Sequence, residues 1–379
     1  MRNDMRKMPH PPSAARGFVL ALVLSLSVST SLCAQSFLAR ERHAAVLLPS
    51  GQVLVTGGFD DPVGPMQSAQ VYDEQTRTWR NTTPMAVKRI SHTATLLSSG
   101  KVLVVGGASE DVLSRWPELY DPMTETWTFT SPSAQRRYAH TATMLPSGKV
   151  LVVGGIDQDK TDLATAEIYD PETMAWSAVA PMSRARSSHT ATLLPSGKVL
   201  VAGGWNSGPL RLCDIYDPVL NVWLPTGMMP DFRSSHSATL LPSGKVLVAG
   251  GRGAEYLKTA AEYDPATGEW TAVGSMLHAV SLHKATLLAS GKVLVPNYYN
   301  NSQGAFLYDP ESRQWGRTDS IITLRWNYSM TLLPSGRVLV AGGSREGHFY
   351  SYASTVEYVP DTGTWFDTDR VFAARFDGE

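Results

Sequence analysis

Only two cysteines, Cys33 and Cys213, occur among 379 residues, which excludes a disulfide-built scaffold and leaves stability to a packed core. Neither sign of charge is in excess, with 33 Lys and Arg against 34 Asp and Glu. So mild a balance carries no electrostatic footprint for nucleic acid. Long apolar runs are missing as well. The longest clear one, Gly17 to Val28, has 12 residues, short of the ~20 that a helix needs to cross a bilayer. There is no GxSxG, no HExxH and no pair of carboxylates whose spacing brings them to one site. The expectation is a chain with no catalytic residues, no metal ligands and no cofactor.

What the N-terminus does contain is Arg2, Arg6, Lys7 and Arg16, then that apolar run, then Ser29, Thr30 and Ser31. This is the layout of a secretory signal peptide over residues 1–34. It predicts cleavage after Cys33 or Ala34 and a mature domain, 35–379, of bacterial type, periplasmic or extracellular, with no membrane span. Leu32 stands where a lipoprotein signal wants a small residue, so Cys33 is not expected to carry lipid. Cys213 would then be the only cysteine. It falls in the slot held by Ala166 one unit earlier and is expected to be buried and inert.

The mature part is built from one repeated stretch. HTATLLPSGKVLVAGG begins at His189, with close copies at His43, His92, His140, His236 and His283 and a seventh at Tyr328. Each unit continues to a Tyr-Asp (Tyr72, Tyr120, Tyr169, Tyr216, Tyr263, Tyr308; Tyr-Val at Tyr358) and a Trp (Trp79, Trp127, Trp176, Trp223, Trp270, Trp315, Trp365). The opening residue and the first Gly are 14 apart, Tyr and Trp 7, and Trp and the next opening residue 13; only the segment before Tyr varies, from 11 to 16. Insertions collect where backbone is exposed, so those segments are the free loops. The pattern reads as four short strands per unit, with Asp170-Pro171-Glu172-Thr173 as a turn between the last two. Seven such units, none able to bury its faces alone, predict an all-β fold: a seven-bladed β-propeller of four-stranded blades.

The Gly-Gly, Tyr-Asp and Trp at these offsets resemble the kelch repeat over essentially the whole mature chain. The resemblance implies that the first strand of each blade lines the central channel; it does not fix a function. The LLPSGRV and Gly-Gly phrasing is also distantly similar to the propeller of secreted galactose oxidases, which raises the alternative of a copper-radical oxidase. Tyr138 falls near that family's cross-linked tyrosine. Ser91 stands where its cysteine partner belongs, however, and Asn327-Tyr328 replaces the expected Tyr-His copper pair. The favoured reading is a secreted, non-catalytic binding propeller that grips a protein or a glycan through the face bearing the variable loops.

Several residues compete for that role. Six histidines share the opening slot, but equivalent residues on neighbouring inner strands diverge round a circle, so they are expected to be structural. An arginine precedes the opening residue by three positions at Arg40, Arg89, Arg137, Arg186, Arg233 and Arg325, with Val280 the exception. In intracellular kelch adaptors that resemble this chain, arginines in this slot read acidic peptides; the other reading is a scaffold pairing with acids of adjacent blades. The loops of blades 1 to 3 are acidic (Asp60, Asp61, Glu110, Asp111, Asp157, Asp159, Asp162). Later ones bring Trp205, Arg252, Tyr256, Arg345, His348, Phe349, Tyr350 and Tyr352. The run 157–162 has the acid density of a calcium loop but lacks its Gly. Blade 6 breaks the pattern most, with Pro296-Asn297-Tyr298-Tyr299-Asn300 in place of Val-Gly-Gly. Tyr298, Tyr299 and Asn300, with Arg325 and Trp205, are the favoured contact residues. Phe372 to Phe376, with Arg375 in the arginine slot, looks like the start of an eighth inner strand.

Overall fold

In the computed structural model, residues 35–109, 112–299, 302–319, 321, 325–344 and 351–368 are described. Phe372 to Phe376, Asn300, Glu110, Asp111 and residues 345–350 lie outside them, as do residues 1–34. Seven four-stranded antiparallel sheets follow one another, each formed by one repeat with its strands in chain order. In the fourth, Thr190–Leu193, Val199–Ala202, Cys213–Asp217 and Val222–Pro225 pair in succession. The first strands stand side by side in a closed circle, in which Ala44–Leu47 of blade 1 adjoins Ser329–Leu332 of blade 7. The chain is a seven-bladed propeller, and every named element is a strand.

The second strand of each blade is the most buried because it is covered on both faces. Val199, Leu200, Val201 and Ala202 have no outward side, which is why the sequence there is continuously apolar rather than alternating. The covering comes from neighbouring blades. Leu200 and Ile215 of blade 4 pack against Val246 and Val248 of blade 5, and Val53 and Tyr72 of blade 1 pack against Leu339 and Ala341 of blade 7. Each interface holds its own apolar cluster, and each buried Val or Leu contributes about 1.5 to 3 kcal/mol. A blade has no core until it has neighbours.

The fixed spacings follow from pairing. Tyr169 and Trp176 are directly opposite across the last hairpin of their blade, and their rings lie 5.1 Å apart, a pairing repeated in all seven blades. At that end, Asp170 Oδ1 accepts the Glu172 N–H at 3.0 Å, and its other oxygen holds Lys149 Nζ at 2.9 Å. Lys198–Asp217 and Lys245–Asp264 repeat this clasp between the Ser-Gly-Lys and Asp-Pro turns. The turns are near-identical copies because they hold each other.

Among the described residues, closure uses no strand borrowed from the other end of the chain: the four-stranded sheet of blade 1 consists of Ala44–Leu47, Val53–Thr56, Ala69–Asp73 and Thr78–Thr82. A second circle, of main-chain hydrogen bonds, lies at the channel mouth. The residue before each opening position donates its N–H to the carbonyl of its counterpart in the preceding blade: Ser91 to Arg42, Ala139 to Ser91, Ser188 to Ala139, Ser235 to Ser188, Leu282 to Ser235, Asn327 to Leu282, and Arg42 back to Asn327, at 2.9 to 3.3 Å. All seven take φ between +49° and +54° although none is glycine. That conformation costs on the order of 1 kcal/mol per residue and is held by the bonds it permits. The Gly-Gly pair serves the same approach of chains: a Cβ on Gly203 would lie 2.5 Å from the Arg233 carbonyl oxygen of the incoming segment.

Blade 6 departs as its sequence does. Its second and third strands, Val293–Tyr299 and Ser302–Asp309, extend past the loop level as one long hairpin. Its inner strand shrinks to Thr286–Leu287. Pro296 lies where Ala202 pairs with Thr190 in blade 4; proline has no N–H to give the ladder, so the inner strand is released at Lys284 and Ala285.

Candidate functional site

The repeated arginines are scaffold. Arg40, Arg89, Arg137, Arg186, Arg233 and Arg325 are at most 2% exposed. Arg137 donates to the Gly154 and Thr165 carbonyls at 2.7 and 3.1 Å and to Glu167 Oε1 at 2.7 Å. Glu167 in turn accepts the Ala134 and Gln135 N–H groups at 2.7 and 3.1 Å. Arg89 with Glu118 and Arg186 with Asp214 repeat the arrangement, while Arg40 uses Gln70 and Arg233 uses Asp231. Arg325 bonds the Gly342 and Ser354 carbonyls and lies under the Tyr352 ring. Such burial corrects the expectation that Arg89, Arg137, Arg186, Arg233 and Arg325 reach a ligand: their donors are already turned inward. It also corrects the pairing, because Glu118, Glu167 and Asp214 belong to the blade that the arginine leads into rather than to an adjacent one, and Asp231 lies on the arginine's own incoming segment. At the exceptional Val280, Phe306 occupies the acid's slot, and the two share one apolar cluster.

The histidines form a belt just below the mouth. Each Nε2 bonds a hydroxyl of the preceding blade: His140 to Thr93, His189 to Thr141, His236 to Thr190, His283 to Ser237 and His43 to Ser329, at 2.8 to 3.0 Å. Blade 1 has Ala44 at the donor position, and its cross-strand partner Thr56 serves His92 instead. Burial depresses these imidazoles, His92, His189 and His283 to about 3. They face along the ring and do not converge on a common point.

The mouth itself is a cavity of about 490 Å³, lined by the hydrogen-bonded circle, the histidine belt and the residues that follow it. On its rim, residues just past the Gly-Gly position pair with the incoming segment: Ser187 with Trp205, Ser234 with Arg252, Tyr138 with Ile156 and Trp326 with Ser344. Trp205 is 37% exposed. Tyr256 and Trp326 meet edge to face at 6.3 Å, and Arg211 lies over the exposed Phe232 ring at 5.1 Å. Tyr298 and Tyr299 end the long blade 6 strand, registered against Gln303 and Ser302; Asn300 is outside the described residues. In the acidic loop of blade 3, Asp157 Oδ1 is taken by the Asp159 and Thr161 N–H groups at 2.9 Å. Among the described residues, no three His, Cys, Asp or Glu side chains gather as a metal site.

Sequence reasoning missed two features of this mouth. Lys284 occupies the position held by Thr93, Thr141 and Thr190 in blades 2 to 4 and lines the cavity. Tyr328, the one opening residue that is not histidine, is buried, and its hydroxyl fills the gap opened by Pro296: it accepts the Lys284 N–H at 3.3 Å and donates to the Pro296 carbonyl at 3.5 Å. Burial raises its pKa. Aligning the seven units column by column would have exposed both.

A copper centre of the galactose oxidase type does not fit these residues. Ser91 and Asn327 are members of the main-chain circle, and the Tyr328 hydroxyl is engaged inside blade 6. Among the described residues, no helix is long and apolar enough to cross a membrane.

Comparison with known proteins agrees with this geometry. The model of the KLHDC2/KLHL20/DRC7 Kelch-repeats domain matches residues 23–204 and 91–295. No curated protein matches the chain. Among solved structures, a fungal alcohol oxidase of the AA5 family, in complex with copper, superposes with a TM-score of 0.70 over 87% of this chain and 77% of that one. The two are 17% identical, so the likeness concerns the fold. With its match to the repeat model and its seven blades, the chain belongs to the kelch-repeat family.

Proposed function

We propose that the protein is a non-catalytic binding propeller, exported through the signal in residues 1–34, and that it grips a protein or glycan on the face around the channel mouth. The observation that carries this reading is where the repeated residues go. Arginines, histidines, the Tyr-Trp pairs and the Lys-Asp clasps are spent on the scaffold. The non-repeated side chains that remain exposed at the rim include Trp205 and Phe232, the aromatic character expected of contact residues. The hairpin of blade 6 adds a raised edge ending in Tyr298 and Tyr299.

An oxidase reading is not favoured, because Ser91 and Asn327-Tyr328 do not supply the ligand chemistry. The purified protein is expected to take up no stoichiometric copper and to make no peroxide from primary alcohols; either result would reverse this choice. For binding, the secreted domain is probed against glycan and protein arrays. With any ligand found, Trp205→Ala and Tyr299→Ala are expected to weaken affinity on the order of tenfold, as loss of aromatic anchors does. Glu172→Lys, on the opposite turns, should leave it unchanged. Loss with Glu172→Lys alone would place the site on the wrong face.

A further inference from the structure

The inner strands that lead from the channel mouth carry a single charged side chain. From the opening residue to the end of each inner strand, Lys284 is the sole Lys, Arg, Asp or Glu in the seven copies. Its counterparts are Ala44, Thr93, Thr141, Thr190, Ser237 and Ser329. The side chain lines the mouth cavity and is exposed to it. Among the described residues, no carboxylate lies within ion-pair distance of it. Although the side chain is open to the cavity, the surrounding blades desolvate the ammonium and lower its pKa.

Among the described residues, nothing else at the mouth neutralises it. Arg42, the other cation on the lining, is paired with Glu41 at 3.4 Å, and Glu41 also accepts from Asn327 at 3.1 Å and from Ser344. The nearby His43 and His283 are held neutral by burial, with Lys284 among the charges depressing them. Three lining serines of the main-chain circle, Ser91, Ser188 and Ser235, have hydroxyls that bond none of the described residues. A partly desolvated cation without a counter-charge, among free hydroxyl donors, is half of a charge-assisted binding site.

The fold fixes this arrangement rather than tolerating it. Pro296 frees the main chain at Lys284, and Tyr328 captures its N–H, so the residue is held at the mouth by two substitutions that other blades lack.

We infer that the mouth cavity is a binding site for a small oxyanion, a carboxylate or phosphate, whose charge is met by Lys284 and whose remaining oxygens are met by the lining serines. The site lies inside the ring of blades, and its occupancy does not depend on the rim contacts proposed above.

The test uses the purified chain in a chloride-free buffer at neutral pH, titrated separately with malonate and with inorganic phosphate and followed calorimetrically. Wild type is expected to bind at least one of the two. Lys284→Thr installs the residue of blades 2 to 4 and should keep the native thermal midpoint, yet lose affinity by about tenfold or more, the loss of one charge-assisted bond. Lys284→Arg should retain most of the binding. The preferred anion distinguishes carboxylate from phosphate. Binding equal in Lys284→Thr and wild type, or none in wild type, overturns the inference. A protein or glycan ligand whose affinity depends on Trp205 but not on Lys284 would leave the rim reading standing while this one fell.

Discussion

The buried pair Arg137–Glu167 offers a quantitative test of how the blades hold their incoming segments. Arg137→Leu removes a guanidinium that is 1% exposed in its side chain. It leaves the Gly154 and Thr165 carbonyls without that donor and Glu167 without its cation. Breaking a buried pair from one side costs about 3 to 5 kcal/mol, mostly the penalty of the stranded charge. Blade 6 shows another solution, Val280 with Phe306 in the same two slots. The double variant Arg137→Val, Glu167→Phe copies it, and the N–H groups released at Ala134 and Gln135 sit on a partly exposed segment where water reaches them. The double variant should therefore be more stable than Arg137→Leu, recovering about 2 kcal/mol or more. Urea unfolding of wild type, Arg137→Val, Glu167→Phe and the double gives the coupling energy directly. Additive losses, or a single variant costing under about 1 kcal/mol, would refute the reasoning that the pair is a buried charge cage.

Other outcomes follow from the same interior. The histidine belt takes up protons in the unfolded chain near 6.5 but in the fold only near 3 for His92, His189 and His283. Because the folded value is depressed for a base, stability is full above 6.5 and falls as pH drops between 6.5 and 3. From pH 7 to 5.5 the loss should be about 1 kcal/mol per histidine, read as a falling urea midpoint; a flat profile across that window would count against a neutral belt. The Cys213 thiol is 3% exposed and pushed up to about 12 by burial, so a thiol reagent at pH 8 should label it only as fast as the protein opens. Prompt labelling would mean that the interface between blades 4 and 5 is looser than described.

Much of the fold was legible because its determinants are local and repeated. A Ser-Gly turn between apolar strands, a Tyr and a Trp set seven apart by a four-residue turn, and Gly-Gly where a neighbouring carbonyl presses close each act within one unit, and seven copies remove the ambiguity of any one. The site was less legible. That Arg137 meets Glu167 depends on how a segment lies over the third strand of its own blade, a register that spacing does not state. The same burial that makes these arginines recur made them look like a recognition motif. Lys284 escaped notice because a lysine on a short strand is ordinary until its column is compared. The long blade 6 hairpin was hidden by Pro296, which reads as a strand breaker yet only releases the inner edge.

The circle of main-chain bonds at the mouth bears on how such a protein can diversify. Its seven members are Arg42, Ser91, Ala139, Ser188, Ser235, Leu282 and Asn327. They include a cation, an amide, hydroxyls and apolar groups, yet all present the same N–H and C=O to their neighbours. Since no side chain takes part, mutation can redraw the chemistry at the centre of the face while closure stays as it is. A lineage of these propellers could thus exchange one ligand for another at the mouth without passing through forms that fail to close.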